Sequence, residues 1–109
     1  MICRIWHGWT TRQNADSYET LLKEEIFLGI LNRRISGFKG VQLLRRQVEE
    51  ETEFITLMTF DSLESVREFA GRDYEQAVVP EKARAILSRF DQRSKHYEIK
   101  AERKDDEIN

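Results

Sequence analysis

Residues 54–60, Phe-Ile-Thr-Leu-Met-Thr-Phe, place apolar groups on both alternating sides. Phe54, Thr56, Met58 and Phe60 fall on one side; Ile55, Leu57 and Thr59 fall on the other. Aromatic and β-branched content of this kind predicts a strand, and the lack of charge predicts that both faces are hidden from water. Asp61-Ser62-Leu63-Glu64 then predicts a helix start, with Asp61 as the cap and Glu64 reaching back to it. Leu63, Val66, Phe69 and Ala70 form the helical stripe, and Gly71 ends it. Residues 72–79 predict a lid-like connection. Pro80 opens a last helix with Ala83, Ile86, Leu87 and Phe90 as its apolar positions.

The flanking segments complete the pattern. Residues 2–10 predict a first strand with Cys3, Ile5, His7 and Trp9 on one side and Ile2, Arg4, Trp6 and Gly8 on the other. Asn14 or Asp16 caps a first helix whose stripe is Tyr18, Leu21, Leu22 and Ile26. Beyond Ile26 the apolar residues spread around the axis. That half either packs on two sides or leaves regular helix, and Gly29 permits both. A turn-rich link over 36–40 leads to a second strand over 41–50, with Leu43, Leu44 and Val48 inward and residues 49–52 as a charged hairpin tip. Alternation over 93–101 predicts a final strand.

The order is βαββαβ with an extra short helix, which predicts an α+β, ferredoxin-like fold with an antiparallel sheet in the order 4-1-3-2. Right-handed crossovers put both main helices on one face. Large apolar groups nevertheless occupy both faces, so a second copy of the chain is expected to cover the other, as a homodimer. Residues 1–101 read as one domain and residues 102–109 as a charged, fraying tail.

Composition narrows the classes. A chain of 109 residues makes one domain with a modest core. The net charge is −2 and the two signs alternate, so no nucleic-acid footprint is expected. The longest nearly apolar run, residues 26–31, is far too short for a membrane span, and the opening residues carry no leader pattern; a cytoplasmic protein is expected. The single cysteine, Cys3, reads as a buried structural thiol. No ligand spacing for a metal appears, and no cofactor is expected.

Two histidines are the candidate catalytic groups. His7 and His96 each sit on a strand among aromatics, and those strands are neighbours in the 4-1-3-2 order. Whether they share a face depends on register. An imidazole there would take a proton from a phenol or enol and leave an anion able to meet oxygen directly. Trp6, Trp9, Phe69, Tyr74 and Tyr97 are the candidates to line a flat, substrate-binding aromatic pocket. Each of these has an ordinary structural reading, as core or interface packing. Arg4 and Glu98, on adjacent strands, read as a structural ion pair.

Three sets of residues resemble the antibiotic biosynthesis monooxygenase family of the dimeric α+β barrel superfamily. They are Ile5-Trp6-His7-Gly8; Phe69-Ala70-Gly71 with Asp73, Glu75, Ala77, Val78 and Pro80-Glu81; and His96-Tyr97-Glu98-Ile99. The likeness spans about residues 1–101. It implies a homodimer whose sheets form a barrel, with a pocket between sheet and helices in each protomer. It also implies a monooxygenase-like protein acting on a small hydrophobic or aromatic compound with neither metal nor flavin. The alternative it implies is a non-catalytic, ligand-binding or stress-responsive dimer. The chain departs from the pattern at three places: His7 with no asparagine on the first strand, Phe69 where the oxygenases place tryptophan, and Val78-Val79 where the haem-degrading branch has its ligating histidine. Haem binding is thereby disfavoured.

Overall fold

Alternation builds the centre of the molecule. The structure, a computed structural model, describes residues 1–105. Strands β1 (Ile2–Thr11) and β3 (Glu51–Phe60) pair antiparallel along their whole lengths, from Ile2 opposite Phe60 to Thr11 opposite Glu51. The register projects the two sides of β3 onto β1. Phe54, Met58 and Phe60 share a face with Gly8, Arg4 and Ile2, while Ile55 and Leu57 share the other with His7 and Ile5. Strand β2 (Phe38–Val48) pairs with β3, with a bulge between Phe38 and Gly40.

The helices cover one face. After β1 come α1 (Ala15–Leu21), a π-helical turn over Leu22–Ile26 and α2 (Phe27–Asn32). After β3 come α3 (Leu63–Ala70) and α4 (Glu81–Ile86). The short β4 (Arg89–Phe90) and β5 (Lys95–Glu98) both pair with β1 on its free side. The order β2-β3-β1-β4, with β5 beside β4 on β1, matches the ferredoxin-like expectation.

The sheet does not close into a barrel, which corrects that part of the expected fold. It is open, with β2 at one edge and β4 and β5 at the other. A sheet only four strands wide falls short of the roughly eight strands that close a barrel around a filled interior.

Local details also shift. Ser62, not Asp61, caps α3: its backbone is extended and its Oγ accepts from Ser65 N at 3.3 Å. Asp61 instead pairs with Lys39 at 3.5 Å. Pro80 is the cap of α4 and Glu81 its first residue. That helix stops at Ile86, so Phe90 belongs to β4. Gly71 ends α3 at φ 98°, as a C-terminal glycine does. Of the charged tail, 102–105 are described and 106–109 lie outside the described residues.

The core is one-sided. One cluster joins Tyr18, Leu22 and Ala83 to Phe54; a second joins Ile35, Val66 and Phe69 to Met58 and Phe60. Every strand residue in these clusters faces the helices. On the opposite face Cys3, Ile5, Trp9, Ile55 and Leu57 are only half-buried, and Leu44 and Tyr97 are exposed.

Two glycines give opposite expectations. Gly37 has φ 84°, and a Cβ there would lie 2.1 Å from Ser65 Oγ. Gly29 lies within α2 with nothing near its missing Cβ. Gly37→Ala should lower unfolding stability by roughly 1–3 kcal/mol, from the left-handed backbone and the displaced serine. Gly29→Ala should raise it by about 0.5–1 kcal/mol. Urea denaturation of both variants checks the pair.

Candidate functional site

A pocket opens between the helix-covered face of the sheet and the helices. Arg4, Trp6, Thr56 and Met58 form its floor. Tyr18, Leu22, Ile26, Phe27 and Ile30 form one wall. Phe69, Val78, Val79, Pro80 and Ala83 form the other, and Ser94 closes one end. The enclosed space is about 60 Å³, within a depression of about 570 Å³ that includes its open mouth. The lining is mostly apolar with a few convergent polar groups, the usual make-up of a small-molecule site.

The first wall depends on the π-helical turn. In a regular α-helix the interval from Tyr18 to Ile30 swings the side chain by about 120°; absorbing one extra residue reduces this to about 20°. The turn therefore lets residues four apart, Tyr18, Leu22, Ile26 and Ile30, face one space. Gly8 contributes by omission. A Cβ there would meet the Trp6 ring at 3.0 Å and Leu87 at 3.1 Å, so the glycine gives the indole its place. Trp6 is anchored by its Nε1–H, which donates to Asp91 O at 2.7 Å.

Arg4 organises the polar end. It is 3% exposed. Its Nη1 donates to the Tyr74 carbonyl and to His96 Nε2 (3.0 Å), and its Nη2 donates to the Gln76 carbonyl at 3.0 Å. Its guanidinium also lies over the Phe69 ring, 5.4 Å from the centroid. These acceptors are all neutral. Burial lowers the Arg4 pKa to about 10. The predicted pair with Glu98 does not form: register sets Arg4 opposite His96, and Glu98 bonds Lys100 at 2.6 Å instead.

Arg4 also ties down the connection after α3. Besides its two carbonyl contacts, that segment is held by Ser94 N donating to Glu75 O (2.6 Å) and Ala77 N donating to Gln92 O (2.9 Å). Arg93 adds ion pairs to Asp73 (2.8 Å) and Glu75 (3.1 Å).

His96 has a fixed tautomer. An arginine only donates, so His96 Nε2 accepts and the ring proton sits on Nδ1. Nδ1 is buried with no partner. Burial, and then the Arg4 charge, pushes the His96 pKa down to about 4. Tyr74 packs edge-on against this ring at 5.0 Å, with Arg67 over its own ring at 5.2 Å.

The sequence candidates divide between the two faces. Trp6 and Phe69 line the pocket, and Tyr74 and His96 stand at its polar end. His7, Trp9 and Tyr97 lie on the opposite face. The two histidines therefore do not share a site. His7 Nδ1 bonds Glu53 Oε2 at 3.0 Å and stacks on Trp9 at 6.0 Å. Glu53 also takes Arg46 Nε at 2.7 Å, and Arg46 followed by His7 lowers its pKa. Among the described residues no group of three or more His, Cys, Asp or Glu stands close enough to hold a metal, and no helix is long and apolar enough to cross a membrane.

Sequence reasoning passed over the pocket role of Arg4 and Ser94. Arg4 had one signal: it is in phase with Trp6 on an otherwise apolar strand side. Ser94 had a weaker one, its alternation in phase with His96 on the predicted last strand.

No family model matches the chain, and no curated protein does. Among solved structures it is similar to a crystal structure from Bacillus cereus described as a putative antibiotic biosynthesis monooxygenase. The two are 14% identical and superpose with a TM-score of 0.65 over 94% of this chain and 96% of that one. At that identity the likeness is one of fold, and it is a likeness to the same family that the sequence motifs resemble.

Proposed function

We propose that this protein binds a small, predominantly apolar and preferably aromatic compound between sheet and helices, works as a homodimer, and oxygenates that compound without flavin, haem or metal. The pocket's aromatic and aliphatic lining, ending in a buried polar cluster, carries the binding half. The reaction class rests on likeness of fold, which by itself does not fix chemistry.

Size limits the ligand. The enclosed 60 Å³ is well below the ~150 Å³ of a cavity that takes up benzene. A polycyclic compound would need the helical wall to part. A single ring reaching out through the mouth is the largest occupant the space suits.

Binding without catalysis is the second reading, and one observation favours it. The only basic lone pair of His96 already accepts from Arg4. His96 therefore holds the Arg4 guanidinium rather than serving as a ready base. If oxygenation occurs, the substrate arrives ionised or gives its proton to water.

The dimer rests on the uncovered face. Ile5, Ile55 and Leu57 lie at its centre, with Leu44 (44% exposed) and Tyr97 (52%) toward its edges. Burying one large apolar side chain is worth roughly 1.5–3 kcal/mol, so covering this set is strongly favourable. Charges at one end are already paired, Arg46 with Glu53 and Arg89 with Glu51, so they do not repel a second copy.

The unfolded chain takes up a proton on His96 near its ordinary 6.5, while the folded chain does so only near 4. Stability should therefore fall as pH drops through that window; His96→Gln, which still accepts from Arg4, should lose this component when urea curves are compared by pH. Val78→Trp, at an exposed position on the pocket wall, should weaken binding of single-ring hydroquinones by about tenfold or more with little change in melting temperature. Oxygen-electrode traces on the same compounds separate the readings: uptake abolished by Val78→Trp supports oxygenation, and binding without uptake supports the second. In sedimentation equilibrium at micromolar concentration the protein should be a dimer and Leu57→Lys a monomer; a monomeric parent protein rejects the dimer.

A further inference from the structure

The polar end of the pocket holds a positive charge with no negative partner. Burial alone perturbs Arg4, and among the described residues its three partners are two carbonyls and a neutral imidazole. Glu75 is the acid whose field reaches His96, but its carboxylate is held by Arg93. A guanidinium has five N–H donors, and these contacts use three, leaving the Nε–H and one Nη2–H.

Ser94 is an independent sign. It is 3% exposed and lines the same pocket, yet its Oγ has no hydrogen-bond partner. Buried hydroxyls are ordinarily bonded, so an orphan at a pocket wall points to a group that arrives from outside the chain. Ser94 and His96 are two apart, the spacing that puts both on Arg4's side of the sheet. A purely structural Arg4, latching the Tyr74 and Gln76 carbonyls, would explain neither its missing counter-charge nor the idle hydroxyl.

We propose that the ligand of this pocket carries an anionic oxygen, a carboxylate or an ionised phenol or enol, which seats on the free side of the Arg4 guanidinium and accepts from Ser94 Oγ. This rests on the pocket being a binding site and gives that ligand its chemical class: an apolar body with one acidic head. Charge-assisted bonds to an arginine are roughly twice as strong as neutral ones, so the acidic head sets selectivity while the apolar wall supplies contact area. It also removes the need for a strong protein base, since the site stabilises a substrate that is already an anion.

Calorimetric titration with two acid–amide pairs, benzoate against benzamide and isobutyrate against isobutyramide, tests the seat. Each acid should bind at least about tenfold tighter than its amide, the difference expected when a charge-assisted pair is lost. Ser94→Ala should weaken the acids several-fold and leave the amides unchanged; Arg4→Lys should erase most of the preference. Should Arg4→Lys fail to fold, an NMR pH titration of the native protein serves instead. Saturating benzoate, by offsetting the Arg4 charge, should raise the His96 pKa, and benzamide should not. Equal affinity for acid and amide, or a His96 pKa unmoved by benzoate, overturns the seat while leaving the pocket intact. Absence of saturable binding by all four compounds, or acid binding that Val78→Trp does not weaken, overturns the pocket assignment as well.

Discussion

One mismatch governs this molecule: two apolar sheet faces and helices for only one. β3 sets the condition, because its Phe54, Met58 and Phe60 and its Ile55 and Leu57 point opposite ways. Register carries the condition across to β1, and α1 through α4 then settle on the Phe54 side alone. The pocket lies on that side, between the sheet and the wall shaped by the π-helical turn. The second face is left uncovered by this chain's helices. A small domain has little spare stability, so a face of this composition is a structural commitment rather than an ornament.

Within the covered side a second tension is resolved by Arg4. A charge among Phe69, Met58 and Trp6 is costly in isolation. Its three neutral acceptors reduce that cost and fasten the Tyr74–Gln76 stretch over the sheet. The same bonds make His96 an acceptor, while burial, and then the Arg4 charge, depresses its pKa. Structure and chemistry here are one network. Changing Arg4 alters the connection, the imidazole and the pocket together.

Much of this was legible in the chain, for definite reasons. The strand order followed from the βαββαβ pattern, and the one-sided helices followed from crossover handedness. Gly71 and Pro80 marked helix ends because backbone chemistry leaves few other places for them. The openness of the sheet, where a barrel was expected, was not legible in the same way, because closure depends on how wide the sheet grows rather than on alternation. Asp61 and Ser62 are both good caps, and only the backbone path from Gly37 to Asp61 decides between them. The relation of His7 to His96 hinged on the register of a four-residue strand reached through the two-residue β4, and no periodicity encodes that. The spread of apolar residues past Ile26 left two-sided packing and a departure from regular helix both open, and residues 27–32 are regular helix. The irregularity lies just before that spread, at 22–26 rather than at Gly29.

That looser turn has an evolutionary corollary. Removing one codon within 22–26 would return the segment to ordinary helix while keeping Tyr18 and Ile30 on the same side, since the absorbed residue adds almost no rotation between them. The wall would keep its side but lose its widened turn, and the pairing of the sheet would be untouched. Capacity for a guest is thus adjustable by a single deletion, independently of the substitutions that would tune its charge.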